Sequence, residues 1–124
     1  MTLQITVENQ THLISHSLKL DICKSHYDRF LGLMFRKYLK SGEGLLFLGS
    51  GESRINFSIH MFFMRFRIAA IWLDKDYKIV DMKICYPWRL YYAPEKPAMF
   101  LIETTPDIMT EYSKGDILSF SKWE

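Results

Sequence analysis

Between Ile55 and Ile68 the apolar residues change sides. Ile55, Phe57, Ile59, Met61 and Phe63 share one parity, with Asn56, Ser58 and His60 on the other; then Phe62, Met64, Phe66 and Ile68 take over as Arg65 and Arg67 appear. Side chains alternate strictly along a strand, so a flat strand cannot carry one apolar face through such a switch. A bulge, a sharp twist or passage between sheets is required near residues 60–63. The chain must therefore build a bent or curled sheet. Bulges of this kind often re-aim side chains beside functional sites, although a barrel corner without chemistry is the simpler account.

The flanking sequence supplies strands for such a sheet. Leu3, Ile5 and Val7 alternate with Gln4, Thr6 and Glu8, and Leu18, Leu20 and Ile22 alternate with Lys19 and Asp21, which predicts a pair of half-buried strands. Further short apolar runs at residues 44–48, 55–66, 68–73, 78–86, 98–103 and 116–120 predict an antiparallel sheet system. Asp74-Lys75-Asp76-Tyr77 predicts a hairpin, Lys114-Gly115-Asp116 a turn into the last strand, and Gly49-Ser50-Gly51 another hairpin turn. Residues 107–113 suit one or two helical turns. Only residues 25–40 show the helical period, through Tyr27, Phe30, Leu31, Met34, Phe35 and Tyr38, with Ser25 and Asp28 as a capping pair and Gly42 after the end. Gly32 inside that run costs about 1 kcal/mol relative to Ala. The expected fold is α+β: a mostly antiparallel curled sheet or small barrel packed with one main amphipathic helix, as a single domain over residues 1–124.

Composition narrows the function classes. At 124 residues the chain suffices for one core, and 48% hydrophobic with 15% aromatic residues excludes a disordered chain. A net charge of +2 argues against an obligate polyanion binder. The charge is divided, however: residues 1–67 hold nine Lys or Arg against five acids, and residues 68–124 seven against nine. The start of the chain lacks a signal-peptide pattern, and no stretch is long and apolar enough for a membrane span, so a cytoplasmic protein is expected. Cys23 and Cys85 lack metal or redox spacing and are expected to be buried, reduced thiols. Asn9-Gln10-Thr11 matches a glycosylation acceptor that matters only on secretion.

The order of motifs carries a resemblance. Arg29-Phe30-Leu31-Gly32-Leu33-Met34-Phe35-Arg36 is followed by Gly44-Leu45-Leu46-Phe47, then Ile59-His60-Met61-Phe62-Phe63-Met64-Arg65-Phe66, then Trp72-Leu73-Asp74-Lys75-Asp76. Ala98-Met99-Phe100-Leu101-Ile102-Glu103 and Gly115-Asp116 come later. From about residue 18 to residue 120 this resembles the uncharacterised family called domain of unknown function 192. The resemblance implies a compact, mostly antiparallel β domain with one packed helix, and no settled activity. Where the family pattern has Pro, an apolar residue and Asp, this chain has Arg67-Ile68-Ala69; where the hairpin after Asp74 carries Gly, it has Tyr77. The missing carboxylate marks either a lost activity or a repacked corner.

No complete catalytic or cofactor motif is present. His12, His16, His26 and His60 lack metal-ligand spacing, and Gly49-Ser50-Gly51 fits neither a nucleophile elbow nor a phosphate loop, so no metal and no cofactor are expected. Arg29, Arg36 and Lys40 suggest a basic helix face. Arg65 and Arg67 add a basic pair, but interleaved Phe62, Phe63 and Phe66 are expected in the core, which makes nucleic acid an unfavoured partner. The stretch Pro87-Trp88-Arg89-Leu90-Tyr91-Tyr92-Ala93-Pro94-Glu95-Lys96-Pro97 is a stiff aromatic loop of the kind that forms recognition surfaces for a small molecule or a protein. Glu103, among apolar neighbours, is a carboxylate suited to pairing with Arg29 or Arg36. The candidate binding residues are thus Arg29, Arg36, His60, Trp88, Arg89, Tyr92 and Glu103. A non-enzymatic binding module is favoured; the alternative is a small hydrolase or lyase with His60 as general base, assisted by Glu103 or Arg29.

Overall fold

The computed structural model describes residues 3–15, 17–23, 33–34 and 36–122. Seven strands lie in one sheet: β1 (Gln4–Asn9), β2 (Leu18–Cys23), β3 (Glu43–Ser53), β4 (Ile68–Leu73), β5 (Ile79–Cys85), β6 (Ala98–Thr104) and β7 (Leu118–Lys122), in the order β5-β4-β6-β3-β2-β1-β7. The sheet curls until its two edges touch at one end. There Lys78 bridges Ile117, the Ile79 N–H donates to the Asp116 carbonyl, and the Leu118 N–H donates to the Tyr77 carbonyl. Only this end is pinned among the described residues, so the sheet is curled and not a closed barrel.

Curling gives the sheet two buried faces. The inner one gathers Ile5, Val7, Leu18, Leu20, Leu46, Ile71, Leu73, Phe100 and Ile102; the outer one gathers Leu45, Phe47, Ala70, Trp72, Cys85 and Leu101 with Phe57, Ile59, Met61 and Met64 packed over them. That explains why Ile68–Leu73 is apolar throughout instead of alternating: every residue of β4 is buried. Close approach matters at Gly44, where an added Cβ would come within 2.1 Å of the Glu103 carbonyl oxygen across the β3–β6 pair.

The alternating segments become strands much as their pattern requires, and Pro106–Glu111 forms a 3-10 helix where helical turns are expected. Four expectations are corrected. β2 and β3 run parallel, because the chain crosses over between them, so the sheet is mixed. Gly49-Ser50-Gly51 lies inside β3 as a register irregularity against β6 instead of forming a hairpin turn. Residues 55–66 form no strand: Ile55–Phe57 is a 3-10 turn, Ile59 makes an isolated bridge to Tyr92, and the chain reverses at Phe62 and Phe63. The parity switch therefore marks an arch folded over the sheet. Finally, residues 36–40 are not helical, Leu33 is buried although it lies off the expected stripe, and Tyr38 on that stripe is exposed; residues 25–32 and 35 of the expected helix lie outside the described residues.

The departures from the family pattern have visible placements. Arg67 is exposed with its guanidinium 5.9 Å from the Tyr86 ring centre, and Ala69 is fully buried in β4 between Ile84 and Thr104. Tyr77 holds φ at 64°, the left-handed region that glycine adopts freely. Its ring offsets that strain by stacking on Phe100 at 4.9 Å and meeting Phe120 edge-on at 5.3 Å. Tyr77→Ala keeps the strained backbone and loses both ring contacts, whereas Tyr77→Gly loses only the contacts. We expect Ala to be the less stable variant by about 1 kcal/mol in urea unfolding; equal midpoints would mean that the left-handed backbone costs nothing here.

Candidate functional site

The arch and the proline-rich loop are fastened together by backbone bonds. Ile59 and Tyr92 exchange N–H···O bonds of 2.7 and 2.9 Å, the Met61 N–H donates to the Arg89 carbonyl at 2.9 Å, and the Trp88 N–H donates to the Met61 carbonyl at 2.7 Å. The arch is anchored below by Trp72, whose indole N–H donates to the Phe57 carbonyl at 2.8 Å in the buried interior. The Lys83 ammonium, beside the Trp72 ring, donates to the Ala93 carbonyl and holds the far end of the loop.

Above these anchors the two turns form one tip. Buried Ile59, Met61 and Met64 alternate with the outward-turned Phe62 and Phe63, so the core takes the aliphatic and thioether chains and leaves the rings outside. Phe63 and Trp88 both adopt left-handed backbone, with φ of 60° and 67°. Their rings cross at 62° with centres 5.0 Å apart, and Phe62 meets Trp88 edge-on at 6.3 Å. Phe63, Met64, Arg65 and Trp88 line a hollow of about 280 Å³. Arg65, Arg67 and Arg89 are exposed, and the Arg89 guanidinium lies 6.0 Å from the Tyr86 ring centre.

Four of the candidate residues meet here. Trp88 and Arg89 are exposed on the tip; the half-buried His60 lies 5.4 Å from the Phe62 ring and accepts the Phe62 N–H at Nδ1; Tyr92 is tucked against the outer cluster, its hydroxyl accepting the Tyr86 N–H. Arg36 is exposed and forms no ion pair with Glu103. Arg29 lies outside the described residues. The expectation that Phe62 and Phe63 belong to the core is overturned, since both are exposed; Phe66 is the one that packs inward. Sequence reasoning thus missed Phe62, Phe63 and Arg65 as tip residues. A usable signal was present: no Asp or Glu occurs between Ser53 and Leu73 or between Met82 and Pro94.

Glu103 sits apart, on β6 between Leu45 of β3 and Ala70 of β4. Leu101 points to the outer cluster and Ile102 to the inner one, so strand alternation turns Glu103 outward with Leu101. It is 7% exposed and forms no ion pair among the described residues. Desolvation by burial pushes its carboxyl up to about 7. Burial, and then the Glu103 charge, push the Cys85 thiol up to about 12, which makes it an unreactive core residue. Glu103 and His60 are not hydrogen-bonded to each other, so Glu103 does not orient His60 here. Among the described residues no three His, Cys, Asp or Glu side chains cluster as metal ligands; His12 instead lies 2.8 Å from the buried Asp116 carboxylate. Asn9 also donates to Asp116, so its side-chain amide is engaged within the fold.

Sheet order, arch and tip define a class: a small, sheet-dominated fold displaying aromatic and arginine side chains at one end. The sequence profile of domain of unknown function 192, described as "Uncharacterized ACR", matches residues 5–120, and the chain belongs to that family. A UPF0127 protein of Thermococcus kodakarensis is 38% identical over 108 residues, covering 86% of this chain and 67% of that protein. A UPF0127 protein of Pyrococcus horikoshii is 36% identical over 117 residues, covering 94% and 97%. Among solved structures, a protein of Sinorhizobium meliloti described as a candidate transcription regulator superposes with a TM-score of 0.82 at 16% identity, covering 97% of this chain and 94% of that one. A protein of unknown function from Novosphingobium aromaticivorans gives 0.78 at 17%, covering 95% and 84%. These two likenesses concern the fold alone.

Proposed function

We propose that this chain is a small, non-enzymatic binding module, folded as one domain, whose contact surface is the tip formed by Phe62, Phe63, Arg65, Trp88 and Arg89, with His60 and Tyr92 supporting it. The carrying observation is the pairing of Phe63 with Trp88. Both bulky residues hold left-handed backbone at a cost on the order of 1 kcal/mol each, yet they remain 46% and 57% exposed. That exposure, retained at a backbone cost, is what supports a displayed surface. Cys23 and Cys85, buried and outside any disulfide, support an intracellular setting. No helix among the described residues is long and apolar enough to cross a membrane.

The experiment is a calorimetric screen of peptides and small metabolites against the wild type, Trp88→Ala and Arg89→Ala. We expect Trp88→Ala to leave the urea midpoint nearly unchanged while weakening a bound ligand by about 2 kcal/mol, roughly thirtyfold. Affinity unchanged in both variants removes this surface.

A further inference from the structure

The tip carries enough chemistry to specify the kind of partner it suits. This step rests on the binding-module proposal above. The two stretches that build the tip contain no acidic residue, while Arg65, Arg67 and Arg89 are exposed around it. The Tyr86 ring centre lies 5.9 Å from the Arg67 guanidinium and 6.0 Å from that of Arg89, contacts that leave both charges unneutralised. The complementary partner is anionic, and carboxylates suit the planar guanidinium fork. A second copy of this chain would set arginines against arginines and is disfavoured.

The hollow between Phe63, Met64, Arg65 and Trp88 supplies the second half of the description. Its walls are two rings and an adaptable thioether, with one guanidinium among them, so it suits a single bulky apolar side chain with a carboxylate beside it. A lipid surface needs no such receptor. A single nucleic-acid strand needs a run of open ring faces, whereas Trp88 is in ring contact with both Phe62 and Phe63, and the exposed Tyr91 is separated from Trp88 by Arg89 and the apolar Leu90. Backbone bonds at Ile59, Met61, Trp88 and Tyr92 hold the tip in advance, so little ordering cost falls on association. From these features we infer that the tip binds an acidic peptide segment carrying one large apolar anchor residue.

Fluorescence anisotropy of labelled Gly-Glu-Glu-Phe-Glu-Glu-Gly, with Trp, Leu or Ala in place of Phe and with Lys in place of Glu, tests this directly. The full chain is expected to bind the Phe, Trp or Leu peptide, to bind the Ala peptide at least tenfold more weakly, and to ignore the Lys series. Affinity falls as salt rises, and Arg65→Ala and Trp88→Ala each weaken binding at least tenfold; near-ultraviolet circular dichroism confirms that each variant is folded, and Arg65→Ala serves alone if Trp88→Ala is not. Phosphatidylserine vesicles and oligothymidylate are run in parallel. Trp88-dependent binding to either, with no peptide bound, overturns the acidic-peptide inference and leaves the tip as a binding surface. Equal binding of the Ala and Phe peptides overturns the anchor. Binding of no probe, or binding indifferent to both substitutions, overturns the acidic-peptide inference and also removes support for the tip.

Discussion

Glu103→Gln is expected to stabilise the protein by roughly 3 kcal/mol at pH 8 and to leave it almost unchanged at pH 4. Glu103 is buried on β6, has no ion pair among the described residues, and has its carboxyl pushed from the usual carboxylate range up to about 7 by desolvation. As pH rises from 4.5, the unfolded chain gives up this proton first, and between 4.5 and about 7 the native state binds more protons than the unfolded one. Stability therefore falls with rising pH across that window and is level again above it. The glutamine variant has no proton to lose at this position, and any cost of burying its amide is the same at every pH. Urea unfolding of both proteins from pH 4 to 8 isolates the effect, because the other titrating groups are common to them. A gap of equal size at pH 4 and pH 8 would show that the carboxyl's ionisation is not its source.

That same burial distinguishes Glu103 from the tip. A carboxyl between Leu45 and Ala70, beside a thiol itself pushed up to about 12, is a costly core group. Its expected effect is on stability and on the pH dependence of stability. The exposed rings and arginines act in the opposite way, contributing little to the core and presenting charge and apolar surface outward.

How much of this was legible in the sequence depended on whether local pattern or tertiary partner decided the outcome. Strands with strict alternation, such as Ile5 and Val7 against Leu18 and Leu20, were legible because one face is buried and the other is not. Asp74-Lys75-Asp76-Tyr77 was legible as a hairpin from its turn chemistry, and the structure shows Asp74 Oδ1 accepting the Asp76 and Lys78 amides. The parity switch correctly located a break near residues 60–63 but not its form. Whether Phe62 is inside or outside depends on the turn at Phe63, and positive φ at a phenylalanine has no sequence signature. The parallel pairing of β2 with β3 was hidden for a similar reason: an amphipathic strand reads alike in either direction. Of the candidate site, Trp88 and Arg89 were legible as parts of a stiff aromatic loop. Their meeting with Phe63 required the backbone bonds between Met61 and the loop, which join residues far apart in the chain.

Trp72 joins the sheet to the arch that carries the tip, and its truncation should have the largest effect of all. Its side chain is completely buried in β4, and its indole N–H is bonded to the Phe57 carbonyl. Trp72→Ala removes that packing and leaves a buried carbonyl without its donor, so a loss of about 4 kcal/mol or more is expected. A protein with only about 5–15 kcal/mol in hand is severely weakened by that. Trp72→Phe separates the two contributions: most of the ring packing survives, the hydrogen bond does not, and the expected loss is about 2 kcal/mol. The consequence for the tip is specific. The amides of Ile59, Met61, Trp88 and Tyr92, which fasten arch to loop, should exchange with deuterium at least tenfold faster in Trp72→Phe, while those of the β3–β6 pair keep their protection. If the whole sheet loses protection in step, Trp72 is a core residue only; if the arch amides alone respond, β4 positions the tip through this indole.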